Sequence, residues 1–159
     1  MMPPITKKYM LTGLAGTPDI LERLCAALPV ESDVWDFRPD TDRLTLREIL
    51  GHLANFEPVA RERVILTCEQ DNPYFARMGA EPDYSGIDPL ETLARMRAGR
   101  AALLEVLNNL TDEQWERPAV SQFIGPITIE AQAMFLLAHD SYHTTQIAQW
   151  LALAESGGV

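Results

Sequence analysis

The sequence predicts an all-α protein built as a four-helix bundle. Three observations carry that expectation. Apolar residues recur at helical spacing in four long segments, helix-start signals stand where those segments begin, and Gly-containing hairpin turns between alternating strands are missing. The chain has 159 residues, the length of one domain, read here as 1–159.

The first helical stretch is expected from Ile5 to Leu28, with Pro18 restarting or bending it after Thr17 and Pro29 closing it. The second begins at Thr45, where Thr45-Leu46-Arg47-Glu48 has the form of a capping box, and runs to Glu69. Pro58 lies inside it and is expected to bend the helix near Ala54, just beyond His52. The third opens at Asp88 with Pro89 at the first helical position and Glu91 in the first turn. Its residues Leu90, Leu93, Met96, Leu103, Leu107 and Leu110 form a core stripe. The fourth runs from Thr128 to Ala154 and is apolar almost all round between Ile129 and Ala138, so it is expected to be the most buried element. The connections are longer than simple helix hairpins need. They are expected to line or cover a site, and a long one permits a crossover between parallel neighbours.

Charge excludes some partners. The 23 acidic and 13 basic side chains leave a net charge of −10, with the acids spread along the whole chain. Nucleic acid and anionic membrane surfaces both require Lys and Arg to neutralise phosphates, so neither is an expected partner and a small-molecule substrate is. Lys7 and Lys8 precede no apolar signal-peptide core, and no stretch of about 18 apolar residues occurs, so the expected location is the cytoplasm. Cys25 and Cys68 form no disulfide framework and no CxxC motif and are read as reduced, buried thiols.

The three histidines are the most informative residues. In His139-Asp140-Ser141-Tyr142-His143 two of them stand four apart, so both rings project from one helix face about a turn apart. His52, with Ile49 one turn before and Phe56 one turn after, faces inward from the second helix. A lone His on an apolar face is usually a hydrogen-bonded core residue, but three such rings are expensive to bury unless each finds a partner, and one shared cation satisfies all three. Neutral imidazole suits Zn, Ni, Fe or Cu, and three protein ligands leave a position for water or substrate. Gln146 continues the stripe of His139 and His143 and is a candidate to orient a ring, hold a water or contact substrate, as is Asn55 from the second helix. Glu48 is a further outer-shell candidate, and Trp150 continues the stripe as a residue more often found in cores. His139-Asp140-x-x-His143 also looks like the HExxH helix of zinc peptidases, but Asp replaces Glu and reaches less far as a general base.

Trp35-Asp36-Phe37-Arg38-Pro39, Leu46-Arg47-Glu48-Ile49-Leu50-Gly51-His52-Leu53 and Ala138-His139-Asp140-Ser141-Tyr142-His143-Thr144-Thr145-Gln146-Ile147, in that order, resemble the DinB-like (DinB/YfiT) superfamily of metalloenzymes across essentially the whole chain. The resemblance implies a bundle of up-down-down-up topology with one divalent metal, zinc or nickel, held by His52, His139 and His143. It further implies thiol-dependent transferases and isomerases as relatives and homodimers as a common state. The leading expectation is a metal-dependent enzyme that activates a low-molecular-weight thiol for transfer to an electrophile. The alternatives are a hydrolase using metal-bound hydroxide and a non-enzymatic metal-stabilised binding or stress-response module.

Overall fold

The computed structural model describes residues 2–39, 41–80 and 82–157; the outermost ends of the expected 1–159 domain lie outside them. Four long helices make the bundle: α1 (Pro4–Cys25), α2 (Leu46–Glu69), α3 (Pro89–Asn108) and α5 (Ile129–Gly157), with a single-turn α4 at Asp112–Trp115. The caps behave as their chemistry requires. Thr45 accepts from the Glu48 amide while the Glu48 carboxylate accepts from the Thr45 amide, and Asp88 accepts from the Leu90 and Glu91 amides ahead of Pro89.

Side-chain contacts fix the topology. Thr17 of α1 meets Asp140 of α5 and Met2 meets Glu130, so α1 and α5 run parallel. Arg97 of α3 reaches Asp19 and Glu22 while Arg100 reaches Leu14, so α1 and α3 run antiparallel. Arg47 at the start of α2 bonds the Ile87 carbonyl before α3, and Glu57 meets Arg100 further along, so α2 and α3 are parallel. The result is the expected up-down-down-up bundle, with the 70–88 segment as the crossover.

The connections hold more structure than the sequence predicted. A 3-10 turn covers Asp33–Asp36, and its buried Trp35 donates to the Pro29 carbonyl at 2.7 Å. Three short strands, β1 (Tyr74–Phe75), β2 (Pro118–Ser121) and β3 (Gly125–Thr128), form one sheet in the order β1-β2-β3. β1 and β2 pair in parallel, whereas β2 and β3 pair antiparallel, Pro118 opposite Thr128 and Ser121 opposite Gly125. The hairpin between β2 and β3 does contain a glycine, Gly125, at a φ of 94° that favours it. Strands this short lack a run of alternation long enough to register as a pattern.

Most of the core lies in two apolar clusters separated by a charged layer, and a third, smaller one gathers Phe75, Ala119 and Ile127 from the three strands. Of the two larger, one gathers Leu21, Trp35, Leu46, Ile49, Leu53, Met96, Ile147 and Trp150; the other gathers Met10, Leu14, Val64, Leu103, Leu107, Ile129 and Leu136. Between them lies Arg100, which is 1% exposed. Its guanidinium donates to both oxygens of Glu57 on α2, to Asp140 on α5 at 2.6 Å and to the Leu14 carbonyl on α1 at 2.8 Å. Pro18 has no N–H to offer the carbonyl four residues earlier, and that carbonyl is Leu14's, so the arginine takes the place of the missing helix bond. One side chain thus ties α3 to the other three long helices. The predicted α3 stripe did not include it, because an arginine among leucines looks like a surface residue until its partners are known. α1 is continuous through Pro18, and α2 through Pro58.

Other expectations need correction. Leu90 of the predicted stripe is 48% exposed, since it lies on the outer face of the first turn of α3, whose Pro89, Thr92 and Leu93 are the buried members. Not all of the apolar stretch of α5 is buried: Met134 is exposed, and Phe135 is half-buried because it borders a cavity rather than the core. Cys25 is buried and free, and burial pushes its thiol up to about 11; Cys68 is only partly covered.

Candidate metal centre

α2 and α5 pack antiparallel, and this brings residues 87 positions apart in sequence together. His52 Nε2 and His139 Nε2 stand 2.9 Å apart. The ring of His52 lies 5.0 Å from each of the other two histidine rings, and those of His139 and His143 are 4.6 Å apart. One nitrogen of each ring lies within 4.8 Å of those of the other two. Two nitrogens bound tetrahedrally to one Zn at 2.0–2.1 Å would stand about 3.3 Å apart, so the closest pair lies a few tenths of an ångström inside the spacing that a shared cation sets.

The ring chemistry fits as well. Burial pulls His139 down to about 3, helped by the neighbouring His143 and His52 and by the positive Arg100, so its imidazole is neutral at any physiological pH and free to act as a ligand. His143 Nδ1 lies 3.0 Å from Gln146 Oε1. With Nδ1–H donating to that oxygen, the Nε2 lone pair is left for the cluster, which is the outer hydrogen bond that ligating histidines characteristically make. His139 Nδ1 is buried without a hydrogen-bond partner among the described residues, so this support is given to one ring and not to the other. His143 is buried while His52 and His139 are half-covered; the centre is accessible from the side of those two.

Beyond His52 and His139 opens a cavity of about 640 Å³, within the range of small-molecule sites. Phe56, Ala60 and Val64 of α2, Leu103 and Leu107 of α3, and Phe135 and Leu136 of α5 form its apolar walls. Arg63 of α2, Arg77, Met78 and Gly79 from the 70–88 connection, and Phe123, Ile124 and Ile127 from the hairpin also line it. The expectation that long connections line a site therefore holds for two of them.

The remaining candidates fall in different places. Trp150 is core: it is 7% exposed and donates to the Leu44 carbonyl at 2.9 Å. Glu48 is removed from the centre by its cap and by a two-pronged ion pair with Arg38. Asn55 is half-buried and is not part of the lining of this cavity. Asp140, the carboxylate that made the HExxH comparison, turns to Arg100 and Thr17 instead, at 2.6 and 2.8 Å. One position along a helix is about 100° of rotation, which takes it off the face of His139. Sequence reasoning missed Phe135, Phe123 and the cavity arginines. The helix members had a readable signal: His52, Phe56, Ala60 and Arg63 of α2 recur at spacings of four, four and three, and Gln132, Phe135, His139 and Tyr142 of α5 at three, four and three.

Residues 14–147 match the DinB superfamily. The chain belongs to the DinB superfamily. Among solved structures, this DinB chain is similar to YfiT from Bacillus subtilis, described as a probable metal-dependent hydrolase with an unusual four-helix bundle topology. The TM-score is 0.85 at 21% identity, covering 99% of this chain and 91% of that one. At that identity the likeness establishes the shared fold. No curated protein matches the sequence.

Proposed function

We propose that this DinB protein is a single-domain, metal-dependent enzyme acting on a small apolar substrate, with His52, His139 and His143 as the ligands of one divalent ion. The observation that carries the reading is the approach of three ring nitrogens to within 4.8 Å of one another at the end of an apolar cavity. Bound there, the ion would supply Lewis acidity toward a substrate oxygen and lower the pKa of a small nucleophile. Gln146 keeps the His143 ring in the ligating tautomer, and burial, with a smaller contribution from Arg100, favours a neutral His139. The apolar walls exclude bulk water and orient the substrate.

Hydrolysis is put first because it is the reaction named for YfiT, a fold neighbour over nearly the full chain. Thiol transfer, with a low-molecular-weight thiol as second reactant, is the other reading; a cavity of about 640 Å³ has room for two reactants. Protein purified without an affinity tag and loaded with zinc or nickel is expected to hold one ion per chain and to cleave apolar aryl esters. Cleavage in thiol-free buffer supports hydrolysis, and electrophile loss only with added thiol supports transfer. Retention of the ion by His143→Ala together with undiminished turnover would defeat both.

A further inference from the structure

The cavity extends well past the histidines, and its far part differs chemically from its walls. On α2, His52, Phe56, Ala60 and Arg63 line it in succession over eleven residues, or about 16 Å at 1.5 Å per residue. Across from them α5 runs the other way, from His139 through Phe135 to Gln132. A second path of contacts crosses the mouth. The Arg77 guanidinium sits 5.6 Å over the Phe123 ring, Phe123 meets Phe135 at 6.2 Å, and Phe135 stacks on His139 at 6.0 Å.

Arg63 and Arg77 are the charged residues of the lining apart from the histidines. Arg63 is half-buried; burial lowers its pKa, and the neighbouring Glu62 carboxylate offsets that in part. Its head donates to the Ala76 carbonyl at 2.9 Å and lies 5.5 Å from the Phe75 ring centre. That bond uses one of five donors. Among the described residues neither Arg63 nor Arg77 forms an ion pair, whereas Arg38, Arg47, Arg97 and Arg100 each do. In a chain of net charge −10, two arginines at one apolar cavity whose lining holds no carboxylate form a local positive site, the sequence neighbour Glu62 acting on Arg63 from outside that lining. A guanidinium that is partly desolvated and unpaired gains most from an anion that brings its own apolar cover.

We propose that the cavity binds small molecules with an apolar body and a terminal carboxylate or similar oxyanion, the anion held at Arg63 and Arg77 and the apolar body lying along Phe56, Phe135 and Leu103. That the other end of the molecule meets the reacting centre rests on the metal-dependent reading above; the binding itself does not.

The test is calorimetric titration of metal-free protein, so that no acid can bind through an ion, with decanoate and with decan-1-ol. Decanoate is expected to bind about tenfold more tightly than the alcohol, the worth of one charge-assisted contact. Arg77→Met, at an exposed position whose change does not threaten folding, and Arg63→Met are each expected to remove most of that preference and to leave the alcohol's affinity unchanged. Equal binding of acid and alcohol, or an acid preference that survives in both variants, would overturn the proposal. An intact preference in a protein that takes up no metal would sink the metal reading and leave this one standing.

Discussion

Removing the Arg100 guanidinium while keeping its volume, as in Arg100→Met, should be among the most damaging single changes in this protein. Arg100 and Glu57 are each 1% exposed along their side chains and Asp140 is 2% exposed, so solvent cannot replace the lost partner. Breaking a buried pair by removing one member costs about 3–5 kcal/mol. The Leu14 carbonyl, already without its helix bond because of Pro18, loses its donor too and adds about 1 kcal/mol. The total of about 5 kcal/mol would consume a large part of a stability of about 5–15 kcal/mol. For a chain of this size it lowers Tm by about 10–20 °C. Urea unfolding followed by far-ultraviolet circular dichroism measures it. The pH dependence gives a second check. Burial already holds the Glu57 carboxyl above its ordinary value despite Arg100, and losing the arginine raises it further. A carboxyl raised on folding contributes stability that is complete below its unfolded pKa and is lost as pH rises through the folded one. The deficit should therefore be smaller at pH 5 than at pH 8. Replacing all three charges, as in Arg100→Met with Glu57→Leu and Asp140→Leu, should recover much of the loss. A deficit under about 1 kcal/mol, or one independent of pH, would refute the picture of a desolvated charge layer.

Two further predictions concern the centre itself and a third the packing beside it. Gln146→Leu removes the outer hydrogen bond to His143 and should weaken zinc binding by about 10- to 100-fold in a competition titration with a chelating dye, with the fold retained. In metal-free protein His139 is depressed to about 3, below its unfolded value near 6.5. It therefore contributes stability present above pH 6.5 and lost progressively as pH falls toward 3, and His139→Phe should flatten that acid limb in denaturant melts. Gly51 lies beside His52, and a methyl there would overlap the Tyr84 ring. Gly51→Ala should therefore destabilise by about 1–2 kcal/mol despite the better helix propensity of Ala, and a gain in Tm would show that Tyr84 is not packed as described.

The helices and their caps could be read from the sequence because they depend on neighbours. The Thr45 box, the Asp88-Pro89 start and the His139/His143 spacing are all interactions within about one turn, and a helix converts spacing into direction without help from the rest of the chain. The inward face of His52 was legible for the same reason. Its meeting with His139 was reached only indirectly, from the cost of burying three rings without a partner and from the resemblance to a family: it depends on α2 and α5 packing antiparallel at one register, which no local pattern encodes. Tertiary structure alone decided that Arg100 and Asp140 are core, because burying a charge is acceptable only once its counter-charges arrive from other helices. It also decided that Phe135 borders a cavity rather than the core, since apolar side chains lining an empty space and filling one have the same periodicity. The three strands belong to the same class, as segments of two to four residues owe their conformation to the partner they pair with.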